Sequence, residues 1–157
     1  GKRFSDFSLN PLYDIGFERV PGRSFRIDGN NQVDSLIVGM KKTAVRFEEV
    51  SQRCENLLKR LPKQDQHFFR DNLAAPCHYM AALSHSLYHF VSAYKEKESG
   101  KRAENLDIAI RRLEEARDAL YDTQAGVFST WYAGDSTGGK FNIPAKLKLL
   151  HKLRKEI

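Results

Sequence analysis

From Asn30 onward the apolar residues return at steps of three and four, and no other property constrains this chain's fold as strongly. Val33, Leu36, Ile37, Met40, Ala44, Phe47, Cys54, Leu58 and Leu61 make one stripe along a helix. Asn30 or Asn31 can accept hydrogen bonds from the first free backbone N–H groups, and Asp34 suits the positive first turn. Pro62 disfavours helical geometry at Leu61 and closes the helix, which then covers about 30 residues and about 45 Å. A second stripe runs through Phe69, Leu73, Cys77, Met80, Leu83, Leu87, Val91 and Tyr94. Pro76 lies inside it, removing one backbone hydrogen bond and crowding the preceding turn. The expectation there is one long helix kinked at Pro76, or two short ones meeting near Ala74-Ala75, stopped by Gly100.

A third helix is predicted over residues 102–122, with Leu106, Ala109, Ile110, Leu113, Ala116 and Leu120 inward and Arg111 pairing with Glu114 and Glu115 outside. After Pro144, Leu147, Leu150, Leu153 and Ile157 mark a short amphipathic helix. Long helices joined by short connections pack antiparallel. The fold class predicted is therefore all-α: an antiparallel bundle of three long helices, the second kinked at Pro76, plus a short C-terminal helix.

Residues 1–29 read differently. Phe4, Phe7, Tyr13, Phe17 and Phe25 stand among Pro11, Gly16, Pro21, Gly22 and Gly29, which break any helical period. Pro21-Gly22 could turn a small hairpin, although the twist of a type II turn fits tight hairpins poorly. The aromatics are best read as anchors strapping an irregular N-terminal segment onto a helical domain at 30–157. A length of 157 residues fits one domain with a real core. The sequence opens on Gly rather than Met and without a signal-peptide pattern, so it reads as an excised or processed piece of a longer chain.

Hydrophobic residues at 41% and charged residues at 29% describe a globular mixture, and no stretch approaches the ~18 apolar residues of a membrane span. The net charge of +6 invites a nucleic-acid reading, so its location matters. Residues 1–139 balance to +1, whereas Lys140, Lys146, Lys148, Lys152, Arg154 and Lys155 against Glu156 put +5 at the end. A nucleic-acid module usually carries its basic face on the folded body. The favoured reading is a solvated face of the last helix.

Gly134 to Lys140 matches the start of a phosphate-binding loop, but Phe141 stands where a magnesium-binding hydroxyl belongs and Pro144 delays the helix. No cofactor follows from it. His78, His85 and His89 share one face of the second helix. A metal site needs three or more ligands, and Ser86 occupies the position of a zinc-protease glutamate. The expectation is histidines that hydrogen-bond at the edge of the bundle, with no metal. Cys54 and Cys77 fall near the apolar stripes and read as buried thiols, able to bridge only in an oxidising compartment. No nucleophile–base constellation is legible, so no catalytic residue is assigned.

Residues 126–143 hold the only Trp of the chain between glycines. Phe128, Trp131, Tyr132 and Phe141 could present flat rings to a sugar, with Asp135, Lys140 and Asn142 beside them to bond hydroxyls or a uronate. The bland reading, favoured for a single Trp in a small domain, is a plug closing the end of the bundle.

The order Leu61-Pro62, HFFRDNLAAPCHYMAALSHSLYHFVSAY, an Ala- and Leu-rich helix and then GVFSTWY resembles the helical module that follows the catalytic barrel in family 115 glycoside hydrolases, α-glucuronidases acting on glucuronoxylan. Related helical pieces occur in other Bacteroidetes carbohydrate-active enzymes. The likeness covers roughly residues 33–143 and does not extend to GDSTGGKFNIP or the basic last helix. It implies a non-catalytic accessory module that supports a catalytic domain of the same chain, makes oligomer contacts or lines the rim of a cleft for an acidic glycan. It implies a periplasmic or extracellular setting, and the catalytic residues belong to another domain. The rival expectation is a stand-alone helical binding protein whose basic C-terminal helix meets nucleic acid or an acidic partner, nucleic acid being the less favoured.

Overall fold

A computed structural model describes residues 30–122 and 143–157, and every regular element among them is helical. Helix α1 spans Asn30–Leu58, α2 Lys63–Phe69, α3 Ala75–Lys95, α4 Ser99–Tyr121 and α5 Ile143–Lys155. The aromatic segment 1–29, with its Pro21-Gly22 pair, and residues 123–142 lie outside the described residues.

Helix α1 closes as its sequence requires. Arg60 and Leu61 donate to the carbonyls of Leu57 and Leu58, three residues back, which tightens the last turn, and Pro62 then stands extended at φ −54° and ψ 143°. Helix α2 starts directly after Pro62, and the Gln66 side chain donates back to the Leu61 carbonyl at 2.9 Å. Between α2 and α3, Arg70–Ala74 form a π-helical turn, in which the Ala75 N–H reaches the Arg70 carbonyl five residues back. A proline has no N–H, and its ring collides with the carbonyl four residues before it in a regular α-helix. Widening the turn just ahead of Pro76 relieves that collision while φ and ψ stay helical at Phe69, Ala74 and Ala75.

The break between α3 and α4 corrects the sequence reading. Gly100 lies inside the first turn of α4, and the chain leaves the helix at Glu96, whose ψ is 132°. The Glu96 carboxylate accepts from the backbone N–H of Lys97 and of Glu98, and Arg102 donates to the Glu96 carbonyl. A local carboxylate that satisfies freed N–H groups ends the helix more effectively than a glycine able to stay in it.

Helix α3 packs against α1 on one side and α4 on the other, and α5 packs on α4. Helix α3 runs antiparallel to both α1 and α4. Asp34 near the start of α1 pairs with Lys95 at the end of α3, and Ser51 further along α1 meets His78 near the start of α3. Ser86 of α3 donates to the Ala109 carbonyl of α4 at 2.8 Å, and His89 meets Asn105 one turn away. The core joins Val33, Tyr79, Leu83, Phe90 and Val91 to Leu106, Ile110, Leu113 and Leu120, then to Ile143, Leu147, Leu150 and Leu153.

The buried side of α3 is wider than its predicted stripe. Leu83 and Val91 are buried as expected, and so are Tyr79, Ala82, Ser86, Phe90 and Ala93, while Met80 faces outward, as does Leu73 in the turn before it. Small residues let flanking helices approach closely, so Ala and Ser occupy the tightest contacts although their hydropathy does not mark them.

Helix α5 divides the basic tail among different environments. Its apolar side buries Leu147, Leu150 and Leu153. Lys146, expected in solvent, is buried. Arg154 grips Asp107 of α4 with two hydrogen bonds of 2.7 and 3.1 Å, leaving Lys148, Lys152 and Lys155 exposed. No helix among the described residues is long and apolar enough to cross a membrane.

Candidate functional site

The three histidines of α3 lie on one side, and each lies beside a polar side chain of a neighbouring helix. At the start of this seam the Ser51 hydroxyl and His78 Nδ1 share a hydrogen bond of 3.3 Å. At its far end Asn105 donates through Nδ2 to the Lys101 carbonyl at 3.0 Å, which leaves Oδ1 to accept from His89 at 2.9 Å. An amide oxygen cannot donate, so His89 carries its proton on Nδ1.

Midway along the seam all three long helices meet. Glu115 and Arg112 of α4 form an ion pair of 2.8 Å, and the same guanidinium lies 3.9 Å from Glu48 of α1. The Glu48 carboxylate in turn lies 3.4 Å from His85 Nε2, a buried atom without a hydrogen-bond partner. Burial lowers the His85 pKa, and the positive charge of Arg112 lowers it further against the opposing pull of Glu48. His89 lowers it as well and Glu115 raises it, both less than Arg112 and Glu48 do. The imidazole is therefore neutral near pH 7, because a second cation beside Arg112 in a half-dry interface costs more than one carboxylate returns.

A stability consequence follows, with a definite sign. An unfolded histidine takes up its proton near pH 6.5, whereas folded His85 resists protonation to lower pH. The unfolded chain binds more protons in that window, so stability is complete above about pH 6.5 and declines as the pH falls toward the folded value. Urea midpoints at pH 7.5 and 5.5 should differ for the native chain and differ less for His85→Gln. Equal pH sensitivity in both proteins would show that another group carries the effect.

The sequence places the three histidines on one face, and the structure brings each to a polar side chain of a neighbouring helix. The expected Arg111 pairing is corrected, since the partner of Glu115 is Arg112. A quarter-turn in helix phase decides which of two adjacent arginines reaches the seam. Sequence reasoning missed Ser51, Glu48, Asn105 and Arg112, whose only signal was a polar residue bordering an apolar stripe. Among the described residues no group of three or more His, Cys, Asp or Glu is arranged to hold a metal ion. Phe128, Trp131, Tyr132, Asp135, Lys140, Phe141 and Asn142, together with the Gly134–Lys140 motif, lie outside the described residues.

Chemically, the seam joins helices: Ser51 and His78 bond across the α1–α3 contact and His89 and Asn105 across the α3–α4 contact, with His85 beside Glu48 between them. Burial also pushes the Tyr79 phenol up to about 12, so it stays protonated. Comparison with models of known protein families, with curated proteins and with solved structures yields no match.

Proposed function

We propose that the chain is a non-catalytic helical module whose work is mechanical, an accessory piece of a carbohydrate-active enzyme. The observation that supports it is the seam, where His78, His85 and His89 each engage a side chain of a neighbouring helix rather than converging on a common point. Catalysis needs groups aimed at one shared atom of a substrate, and a seam of pairwise ties serves rigidity instead. The carbohydrate setting rests on the resemblance of the ordered motifs between residues 33 and 143. In this reading the helices form one antiparallel bundle bent at Pro76, segment 1–29 straps it, and residues 126–143 supply any glycan-facing surface.

The second reading, a helical binding protein for nucleic acid or an acidic partner, draws on α5. Lys148, His151, Lys152 and Lys155 are exposed along one side while the leucines hold the other. Two assays on the purified chain separate the readings. Aryl glucuronides, xylosides and glucuronoxylan fragments should show no turnover above a heat-killed control, and real turnover would refute the non-catalytic reading. Duplex DNA should bind weakly and be lost between low and physiological salt. Submicromolar binding that survives physiological salt would transfer the proposal to the second reading.

A further inference from the structure

We propose that Cys54 and Cys77 are a reversible dithiol, oxidised by small-molecule disulfides to a bridge that staples α1 to α3. Both cysteines are free thiols. The register of the α1–α3 pair brings them near each other. Asp34 pairs with Lys95 and Ser51 bonds His78 across this contact, so each step forward on α1 between these pairs matches a step back on α3. Continued three residues beyond Ser51, the same register sets Cys54 level with Ala75, two positions from Cys77. The thiols are close enough to hydrogen-bond.

Their environments differ in the way an exchange reaction requires. Cys54 is buried and Cys77 half-buried. Burial pushes the Cys54 thiol up to about 11, and the neighbouring Cys77 sulfur reinforces the rise. A protonated buried thiol neither meets nor attacks a disulfide in solution, so the reaction starts at Cys77. The Cys77 thiolate attacks one sulfur of glutathione disulfide, forming a mixed disulfide and expelling one glutathione thiolate. Cys54 then gives up its proton and attacks the Cys77 sulfur, expelling the second. Two protein thiols are oxidised to one disulfide, one glutathione disulfide is reduced to two glutathione molecules, and the protons follow the leaving thiolates. The bridge closes the chain around the Pro62 turn, α2 and the π turn at Arg70–Ala74. It would thus tie down the stretch where the backbone hydrogen bonding is least regular.

The test equilibrates the full chain in glutathione buffers over a series of oxidised-to-reduced ratios. Both thiols should disappear together, with the intact mass falling by two hydrogens, a Cys54–Cys77 cross-linked peptide appearing and dithiothreitol reversing the change. The oxidised chain should melt about 5–10 °C higher than the reduced one, since the bridge restricts the unfolded state. Cys54→Ser should accumulate glutathione on Cys77, because no second thiol can displace it, whereas Cys77→Ser should stay unmodified. A wild-type chain with native circular dichroism that ends as a glutathione adduct or a disulfide-linked dimer would overturn the proposal. So would one that keeps both thiols at every ratio. These wild-type outcomes decide the matter even if a variant fails to fold.

Discussion

Leu113→Ala should destabilise the fold by about 2–5 kcal/mol, the range for removing a fully buried leucine and leaving a cavity that neighbours only partly fill. Leu113 has 0% of its surface exposed and belongs to the core that α4 shares with its neighbours. In urea the midpoint should fall with little change in slope, because the same surface is exposed on unfolding. Val38→Ala is the internal control: Val38 is 55% exposed, and surface changes of this kind usually stay within about 0.5 kcal/mol. Equal effects at the two positions would contradict the helix phases described above.

Ala109→Leu should cost about 1–3 kcal/mol, although the change adds apolar surface to an apolar site. Ala109 is fully buried, and its carbonyl accepts from the Ser86 hydroxyl at 2.8 Å, which fixes how closely α3 and α4 approach. Three more carbon atoms have no room there unless the helices separate, and separation stretches that hydrogen bond. Thermal melting compared with Ala109→Ser, which keeps the volume small, isolates the packing effect. A leucine variant as stable as the native chain would mean that the α3–α4 contact is loose enough to repack.

These two positions also show how far the sequence could be read. The inward faces of α1 and α4 were legible because each packs mainly through one side, and an apolar stripe on a single side is a periodic signal. Leu106, Ala109, Ile110, Leu113, Ala116 and Leu120 were all expected inside, and all are buried. Helix α3 was harder. Flanked on two sides, it buries Ala81 and Ser86 about as fully as Val91, so apolarity no longer marks its orientation. Met80, a large apolar residue assigned inward, therefore stands 37% exposed.

The polar seam was half legible. The seven- and four-residue spacing of His78, His85 and His89 placed them on one face, as the helical period demands. Their partners Ser51, Glu48 and Asn105 come from other helices, and nothing local in the sequence links residues so far apart. The end of α3 illustrates the opposite failure. Gly100 looked like a stop because glycine is a poor helix former, yet Glu96 makes the stop by capping Lys97 and Glu98.

The sequence alone determined where α1 closes, the long helices that begin at Asn30 and near Arg102, the short one near Pro144, and which sides of α1, α4 and α5 are apolar. Those properties follow from local period, from proline geometry and from side chains within one turn of each other. Only the tertiary structure decided the two-sided burial of α3, the widened turn before Pro76, the burial of Lys146, and the pairing of Arg112 rather than Arg111 with Glu115. It also decided that Cys54 and Cys77 come nearly level across the α1–α3 contact. Each of these depends on the register and spacing of antiparallel neighbours, which arise from the simultaneous packing of several helices and have no counterpart in any single stretch of sequence.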